Sequence, residues 1–220
     1  GDGRSLREYR ILPVPPVLLI SDSSQARVPI QSIFAAASDA GLRWFMVREK
    51  LLDTNKLIFL TKELIDAVDP SATVIVNGDL QAAVRSGAHG AHLQKTADVA
   101  KARKILGKKR LIGYSAHSIQ DAAAGAIAGA DYVTLSPIFK TNSKPGYGPV
   151  LGVSSISDAV KGSSAPIIAL AGISGSNAAE VLRSGAAGFA VMGGIMRAFD
   201  PKETVKELID IYEKENYSRS

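Results

Sequence analysis

Arg48, Glu49 and Lys50 form a run of three charged residues directly after the apolar segment 44–47. Guanidinium and ammonium groups bind phosphate oxygens through charge-assisted hydrogen bonds, so two such cations at the end of a buried segment suit a phosphate or diphosphate. The alternative is an ordinary loop in which Glu49 forms a salt bridge. The position directly after an apolar run favours anion binding.

Residues 136–148 form a long polar segment that carries Lys140, Lys144 and several hydroxyl groups, including those of Thr141 and Ser143. Polar loops of this length are usually functional or disordered. Hydroxyl groups and lysines together indicate a bound anion, and the glycines and proline of the segment permit a mobile lid. The segment therefore predicts a second set of anion-binding groups.

Glycines follow the last two apolar runs of the chain, at Gly172 and at Gly193 and Gly194. Glycines in such loops expose backbone N–H groups near the start of a helix, which is the usual phosphate site of a barrel of parallel strands. The alternative is that the glycines only permit tight turns. Two such loops in the expected places favour the phosphate site.

Other polar residues that follow apolar runs are Asn77, Asp79 and Ser115. The Asn77 amide could hydrogen-bond a heterocyclic substrate, and the Ser115 hydroxyl could donate to a phosphate or a ring. Asp79 could bind a divalent ion or cap the helix that begins at Leu80, and capping is the expected role. A Ser-His-Asp hydrolase built on Ser115 is disfavoured, because no Gly-x-Ser-x-Gly turn surrounds it.

The histidines do not form a metal site in the sequence. His92 lies inside an apolar run and is expected in the interior of the fold, whereas His89 should lie at the opposite, amino-terminal end. Histidines on separate strands without neighbouring carboxylates provide no ligand set for zinc. Asp98 belongs to a segment that opens a helix, so it needs no functional role.

The elements that position these residues alternate between short apolar runs and amphipathic helical segments. Eight such runs occupy residues 17–20, 44–47, 73–76, 90–93, 110–113, 131–135, 166–170 and 188–192. Mostly unbroken apolar runs are typical of parallel strands buried on both faces. Eight strands that alternate with helices predict a single (β/α)8 TIM barrel rather than a doubly wound sheet, with phosphate-binding loops at its carboxyl-terminal rim.

The whole chain, residues 1–220, is interpreted as one domain because no linker is evident. Residues 1–16 contain three prolines and are expected to form an extended arm or a plug of the barrel. Residues 217–220 are expected to fray.

The composition is that of a globular protein and excludes several classes of function. The chain has no cysteine, which excludes disulfides, Cys-bound zinc and a thiol nucleophile and fits a cytoplasmic location. No run reaches the ~18 apolar residues of a membrane span, so no membrane partner is expected. The net charge is +5, but the basic residues concentrate in segment 101–110 and only 6% of residues are aromatic. We therefore expect no nucleic-acid partner. The sequence predicts no particular oligomeric state.

In chain order, these segments resemble motifs of the thiamin phosphate synthase/TenI family. That family has Gln-x-Arg-Glu-Lys at the end of strand 2, Asn-Asp-Arg after strand 3 and Gly-x-His-Leu-Gly-Gln-x-Asp in strand 4. It has Gly-x-Ser-x-His in strand 5 and Gly-Pro-Ile-Phe-x-Thr-x-Thr-Lys after strand 6. The corresponding segments here are 46–50, 77–79, 90–95, 113–117 and 136–144. The match runs in order from strand 1 to strand 8.

The resemblance implies an enzyme of thiamin biosynthesis that joins a hydroxymethylpyrimidine diphosphate to a thiazole phosphate and releases pyrophosphate. Its partners would be these two phosphorylated small molecules, and it would need no organic cofactor. The side chains that the resemblance assigns to the pyrophosphate and the leaving group are Arg48, Lys50, Asn77, Lys144 and Ser115. The groups that it assigns to the phosphates are Thr141, Ser143 and the backbone amides around Gly172, Gly193 and Gly194.

Two magnesium ligands of the family have no clear counterpart in this chain. Gly78 stands at the position of the strand-3 aspartate, and the strand-4 segment lacks the Gly-Gln-x-Asp pattern. Met46 also replaces the strand-2 glutamine. Bound Mg²⁺ is therefore expected only if Asp79 or Asp98 replaces the family ligands.

Two other functions fit the same resemblance. A TenI-type thiazole tautomerase would need an acid or base such as His117 or Glu49, because Pro137 stands where TenI-type proteins have a histidine. A non-catalytic binder of thiamin phosphate or its precursors would need only the phosphate-binding groups. The retained residues Arg48, Lys50, Ser115, Thr141 and Lys144 favour the synthase, since a phosphate site alone does not require the cations after strands 2 and 6.

Overall fold

A computed structural model of the chain describes residues 12–141 and 148–219. Eight strands run parallel to their neighbours, and the last strand pairs with the first to close a barrel. The strands are β1 (Val17–Ile20), β2 (Trp44–Val47), β3 (Thr73–Asn77), β4 (Gly90–Leu93), β5 (Leu111–Ala116), β6 (Tyr132–Leu135), β7 (Ile167–Leu170) and β8 (Gly188–Val191). The predicted (β/α)8 TIM barrel is therefore confirmed.

Helices follow the strands and cover the outside of the barrel. They are α1 (Ile30–Asp39), α2 (Thr54–Ala67), α3 (Leu80–Ser86), α4 (Thr96–Leu106), α5 (Ile119–Ile127), α6 (Ser154–Gly162), α7 (Ala178–Arg183), α8 (Gly193–Met196) and α9 (Pro201–Arg219), and a 3-10 turn spans Ser23–Gln25. Apolar helix faces pack on outward-pointing strand residues, as Phe34 does on Phe45 with ring centroids 4.8 Å apart. No helix in the described part of the chain is long and apolar enough to cross a membrane.

Strand β5 is longer than the sequence predicted. We expected it to end at Gly113, whereas it continues through Ala116 because Ser115 pairs with Thr134 of β6. Ser115 is therefore a strand residue and not a loop residue. A position fixed by pairing with a neighbouring strand holds a side chain more rigidly than a loop does.

Inward-pointing side chains fill the barrel with a second, smaller apolar cluster. Trp44 and Tyr132 meet there edge to face, with ring centroids 4.8 Å apart and planes at 84°. Tyr132 fits because Gly113 has no side chain. A Cβ at Gly113 would lie only 2.1 Å from Tyr132 Cζ. These rings close the barrel below its carboxyl end and provide the floor on which a ligand site can stand.

The chain ends were expected to form an arm and a frayed tail. Leu12 packs against the interior cluster, and the Pro16 carbonyl accepts a hydrogen bond from the Phe189 N–H at 3.2 Å. Residues 12–16 thus lie at the amino end of the barrel, while residues 1–11 lie outside the described part, so the arm or plug stays a prediction. Helix α9 continues through Arg219, past Asn216, where we expected fraying to begin.

Candidate active site

A cavity of about 630 Å³ opens at the carboxyl ends of the strands. This size is typical of small-molecule sites. Its lining includes eight of the ten residues that the sequence singled out for binding and catalysis, namely Arg48, Lys50, Asn77, Ser115, Thr141, Gly172, Gly193 and Gly194. The other two, Ser143 and Lys144, lie outside the described residues. The site is therefore assembled where the barrel topology predicts it.

Arg48 and Glu49 are fixed by the loop after β1. The backbone N–H of Arg48 donates to Ser21 Oγ at 3.0 Å, and the Ser21 hydroxyl in turn donates to Glu49 Oε2 at 2.8 Å. The Ser23 N–H also donates to Glu49 Oε1 at 3.0 Å. Glu49 thereby joins the loops after β1 and β2 and does not line the main cavity. Among the described residues it forms no salt bridge, and its contacts do not match the acid or base role considered for it.

The Arg48 side chain is half-buried and extends along the cavity wall. Its Nη1 atom lies 3.7 Å from Met192 Sδ, which brings the end of β2 next to the end of β8. Lys50 is more exposed and lies between the main cavity and a smaller one of about 270 Å³. Two cations therefore approach the cavity from the same loop, as an anion-binding site requires.

Asn77 is the last residue of β3 and forms a pair with Gln94. Its Oδ1 atom accepts a hydrogen bond from Gln94 Nε2 at 2.7 Å, and both side chains line the cavity. With Oδ1 bound in this way, Asn77 offers its Nδ2 donor to a ligand. Gln94 was not among the expected site residues, although its position directly after β4 is a signal that could have identified it.

The residues considered for magnesium do not form a metal site. Asp79 caps α3 by accepting from the Ala82 N–H at 2.9 Å, and its other oxygen accepts from Thr54 Oγ1 at 2.8 Å. Asp98 lies in the first turn of α4, and neither carboxylate lines the cavity. The expectation that either one replaces the family ligands is therefore not met, because both serve helix termini.

Gly78 confirms this mismatch from the cavity side. Its backbone is left-handed with φ +78°, and a Cβ there would lie 3.5 Å from Gln94 Oε1, so a glutamine occupies the space beside it. Among the residues that the structure describes, no group of three or more His, Cys, Asp or Glu side chains could hold a metal ion. Mg²⁺ usually binds through one or two carboxylates together with substrate phosphates, and the described donors do not fit that pattern.

The cavity floor is a neutral hydrogen-bonded network around His92. Its Nδ1 atom lies 2.9 Å from the Tyr132 hydroxyl, and its Nε2 atom lies 3.4 Å from Thr134 Oγ1. Burial lowers the pKa of His92 to about 3 and raises that of Tyr132 well above its usual value, so both stay uncharged at neutral pH. His92 is thus an interior residue, as expected, that also lines the cavity.

Ser115 and His117 bring polar groups to the β5 side of the cavity. Ser115 points inward from the strand and lines the cavity, as does His117, which directly follows β5. The His117 Nδ1 atom lies 3.1 Å from the Ser136 carbonyl oxygen and 3.3 Å from its hydroxyl. This contact orients the imidazole at the edge of the cavity.

The loop after β7 is bent sharply next to the loop after β6. Gly172 has φ +71°, and a Cβ there would lie 2.7 Å from Phe139 Cβ, so only glycine fits. Asn177 holds the bend, because its Nδ2 donates to the Gly172 carbonyl and its Oδ1 accepts from the Ser174 N–H, both at 2.9 Å. This close approach places Lys140 and Thr141 beside Gly172 on the cavity wall.

Gly193 and Gly194 form the first turn of the short helix α8, directly after β8. The first N–H groups of a helix have no partner within it, and a short extra helix at this place commonly binds phosphate in barrels of this kind. Arg197 follows α8 and also lines the cavity. Arg197 was not among the expected site residues, whereas Lys140 belongs to the polar segment that was expected to bind an anion.

The charge of the cavity follows from this inventory. The described lining contains four cationic side chains, Arg48, Lys50, Lys140 and Arg197, and no carboxylate. Fold and site together define a (β/α)8 barrel with a cation-lined cavity at its carboxyl rim. Residues 17–195 match the family model described as thiamine monophosphate synthase. The chain belongs to the thiamine monophosphate synthase family.

Curated relatives and solved structures agree with this assignment. The chain is 36% identical over 208 residues to a thiamine-phosphate synthase of Chlorobium limicola, covering 93% of this chain and 97% of the relative. It is 34% identical over 194 residues to a putative thiamine-phosphate synthase of Geobacter sulfurreducens, covering 87% and 91%. The structure of a thiamine phosphate pyrophosphorylase from Pyrococcus furiosus superposes with a TM-score of 0.78 at 25% identity, covering 90% of this chain and 96% of that one.

Proposed function

We propose that this protein is a thiamine-phosphate synthase, which joins a hydroxymethylpyrimidine diphosphate to a thiazole phosphate and releases pyrophosphate. The observation that carries the proposal is one cavity with two kinds of anion-binding group. Cations approach it from the loops after β2 and β6, and glycine-rich backbone lines it after β7 and β8. A reaction with one diphosphate and one phosphate substrate needs both.

The chemistry fits a cavity without a described carboxylate. The lone pair of the thiazole nitrogen forms the new C–N bond at the pyrimidine CH₂ group, and the electron pair of the breaking C–O bond leaves with the pyrophosphate. No proton is removed at the reacting atoms, so the step needs no general base. It needs groups that neutralise the negative charge growing on the leaving group, which is what fixed cations and N–H donors supply.

Each half of the cavity then has a role. Arg48, Lys50 and Asn77 bind the pyrophosphate, with Lys144 as a further cation from the loop after β6. Ser115 donates a hydrogen bond near the leaving group, supported by its fixed position in β5. Thr141 and Ser143 contact phosphate oxygens, and the amides of Gly172, Gly193 and Gly194 bind the thiazole phosphate.

Two consequences concern partners and location. The partners of the protein are phosphorylated pyrimidine and thiazole molecules, and we propose no nucleic-acid or membrane partner. The chain forms one domain that works in the cytoplasm, as the absence of cysteine suggested. The family generally uses Mg²⁺, but the described carboxylates do not fit a metal site. The experiment therefore compares activity with Mg²⁺ and with a chelator.

A tautomerase is the second candidate function, and one observation favours it. His117 lines the cavity, and its Nδ1 atom lies 3.1 Å from the Ser136 carbonyl oxygen, which orients the imidazole at the edge of the site. A thiazole tautomerase moves a proton within a thiazole carboxylate phosphate and needs such a group. A silent binder of the same compounds is the third outcome.

The experiment is an assay of purified protein with both substrates, in the presence of Mg²⁺ and in the presence of a chelator. We expect thiamin phosphate to form, and we expect Arg48→Met, which keeps length but loses charge, to slow its formation. No product under either condition from folded protein would contradict the synthase. Isomerisation of the thiazole carboxylate phosphate, lost in His117→Ala, would then establish the tautomerase.

A further inference from the structure

Arg197 lies beside Gly193 at the mouth of the cavity. A Cβ built on Gly193 would lie 2.5 Å from Arg197 Nη1 and 2.8 Å from its Cζ atom. The φ angle of Gly193 is not in the left-handed region, so the backbone there would accept other residues. Glycine at position 193 therefore leaves room for the Arg197 guanidinium and is not required by the backbone conformation.

A chain of polar contacts from the β1 loop orients this guanidinium. Asp22 accepts from the Ser24 N–H at 3.1 Å and from Gln25 Nε2 at 2.7 Å. With its nitrogen bound to Asp22, the Gln25 amide turns its oxygen toward Arg197 and accepts from Nη1.

The backbone of Arg197 is fixed as well. Arg27 Nε donates to the Arg197 carbonyl at 2.6 Å, and the Arg27 guanidinium lies over the Phe199 ring, 3.8 Å from its centroid. The guanidinium of Arg197 is therefore held at the cavity mouth by contacts to its side chain and to its backbone.

We propose that Arg197 binds the phosphate group of the thiazole substrate and that Gln25 is its positioning residue. This inference rests on the proposed function, because it assigns one substrate's phosphate to the α8 side of the cavity. A guanidinium group binds phosphate through several directed N–H donors. The donors of Arg197 lie next to the first-turn amides of Gly193 and Gly194. Arg197 thus selects the phosphorylated thiazole over the same thiazole with a free hydroxyl.

The test measures binding by titration calorimetry with the thiazole phosphate and with the unphosphorylated thiazole. We expect Arg197→Met to weaken binding of the thiazole phosphate by about tenfold, the factor for one charge-assisted contact. Binding of the unphosphorylated thiazole should weaken by less than about twofold. Gln25→Leu should weaken the phosphate by roughly threefold, since it loosens the guanidinium without removing it. Arg183→Met is the control, because Arg183 pairs with Glu215 on the outer surface and also removes one positive charge.

A double-mutant cycle tests the link to Gly193. In the wild-type background, Gly193→Ala should weaken binding of the thiazole phosphate, because the new methyl group displaces the Arg197 guanidinium. In the Arg197→Met background the same change should cost less than about twofold. Equal losses in both backgrounds would show that Gly193 acts through its own backbone and would overturn the link.

The outcomes separate this inference from the proposed function. Unchanged affinity in Arg197→Met, or wild-type protein that binds the phosphate no better than the alcohol, overturns the role of Arg197. Synthase turnover is measured in the same variants. If the wild type shows no turnover but Arg197→Met still lowers the affinity for the thiazole phosphate, the inference stands and the synthase is rejected. If the wild type is active but Arg197→Met leaves that affinity unchanged, the synthase stands and the inference is rejected.

Discussion

The half-buried side chain of Arg48 runs along the cavity wall toward Met192, and its backbone N–H is fixed by Ser21. A cation held in this way loses little freedom when an anion binds, so its contribution to binding should be measurable. Lys144 belongs to the loop after β6, and the family resemblance assigns it to the same pyrophosphate. These two residues therefore provide the test at the scale of single side chains.

We predict that Arg48→Ala and Lys144→Ala each weaken pyrophosphate binding by about 1.5 kcal/mol or more, the scale of one charge-assisted hydrogen bond. Lys101→Ala is the matched control, because Lys101 is exposed on α4 and does not line the cavity. Calorimetry with pyrophosphate gives the comparison. Affinities of both variants equal to that of the control would remove these residues from the site.

The sequence identified the site residues that directly follow strands, since barrel topology alone brings those positions together. It missed Arg197, because its place over Gly193 depends on the one-turn helix α8 and on contacts with Gln25. It missed Gln94, although Gln94 directly follows β4, because its role depends on a hydrogen bond to Asn77 at the end of a different strand. Positions fixed by side-chain contacts between distant loops are not encoded in local pattern.

At the scale of elements, Asp79 shows how a helix terminus and a metal ligand can be told apart. Its carboxylate caps α3 and accepts from Thr54 of α2, which ties two neighbouring helices together. The sequence favoured this role because Asp79 directly precedes the helical segment. The structure adds the contact with Thr54, which no sequence pattern indicates.

We predict that Asp79→Ala lowers the free energy of unfolding by about 1 kcal/mol, the usual cost of losing an N-cap. Asp79→Asn should keep most of the stability, because asparagine also caps helices, and should leave any Mg²⁺ dependence of activity unchanged. Denaturant unfolding and a Mg²⁺ titration of activity measure the two effects. A weaker Mg²⁺ response in Asp79→Asn would instead identify a metal ligand.

Strand β5 shows where element boundaries escape the sequence. Tyr114 and Ser115 looked like the beginning of a polar loop, yet they pair with Val133 and Thr134 of β6. Pairing with a neighbouring strand outweighs local polarity, as strand propensity depends strongly on context. Because the strand is longer, Ser115 is held by the barrel itself.

At the scale of the whole molecule, the barrel interior contains a buried histidine whose pKa differs between the folded and unfolded states. Burial lowers the folded pKa of His92 to about 3, whereas an unfolded histidine has its ordinary value near 6.5. Between these values the unfolded chain binds the proton and the folded chain does not. The stabilisation from neutral His92 is therefore complete above pH ~6.5 and is lost as the pH falls toward ~3.

We predict that His92→Gln, which cannot titrate, loses less stability on acidification than the wild type. The difference should approach roughly 1.4 kcal/mol for each pH unit below ~6.5, the value for one proton. Urea unfolding at pH 7, 6, 5 and 4.5 measures it for both proteins. Parallel stability curves would mean that His92 is hydrated or protonated in the folded barrel.

The fold as a whole was predictable because its signal is repeated eight times along the chain. Each apolar run, helix and terminal glycine supports the same interpretation, so errors at single boundaries do not change the topology. The composition of the cavity was less predictable. Its excess of cations over carboxylates depends on which side chains turn inward, and Glu49 and Asp79 turn away.

The measurement that tests the central claim most directly is the stoichiometry of a single reaction mixture. Purified protein is incubated with the pyrimidine diphosphate and the thiazole phosphate, and thiamin phosphate and pyrophosphate are quantified over time. We predict that both products appear together in equal amounts and that neither forms when the thiazole phosphate is omitted. Pyrophosphate release without thiamin phosphate, or no product from folded protein, would contradict the synthase.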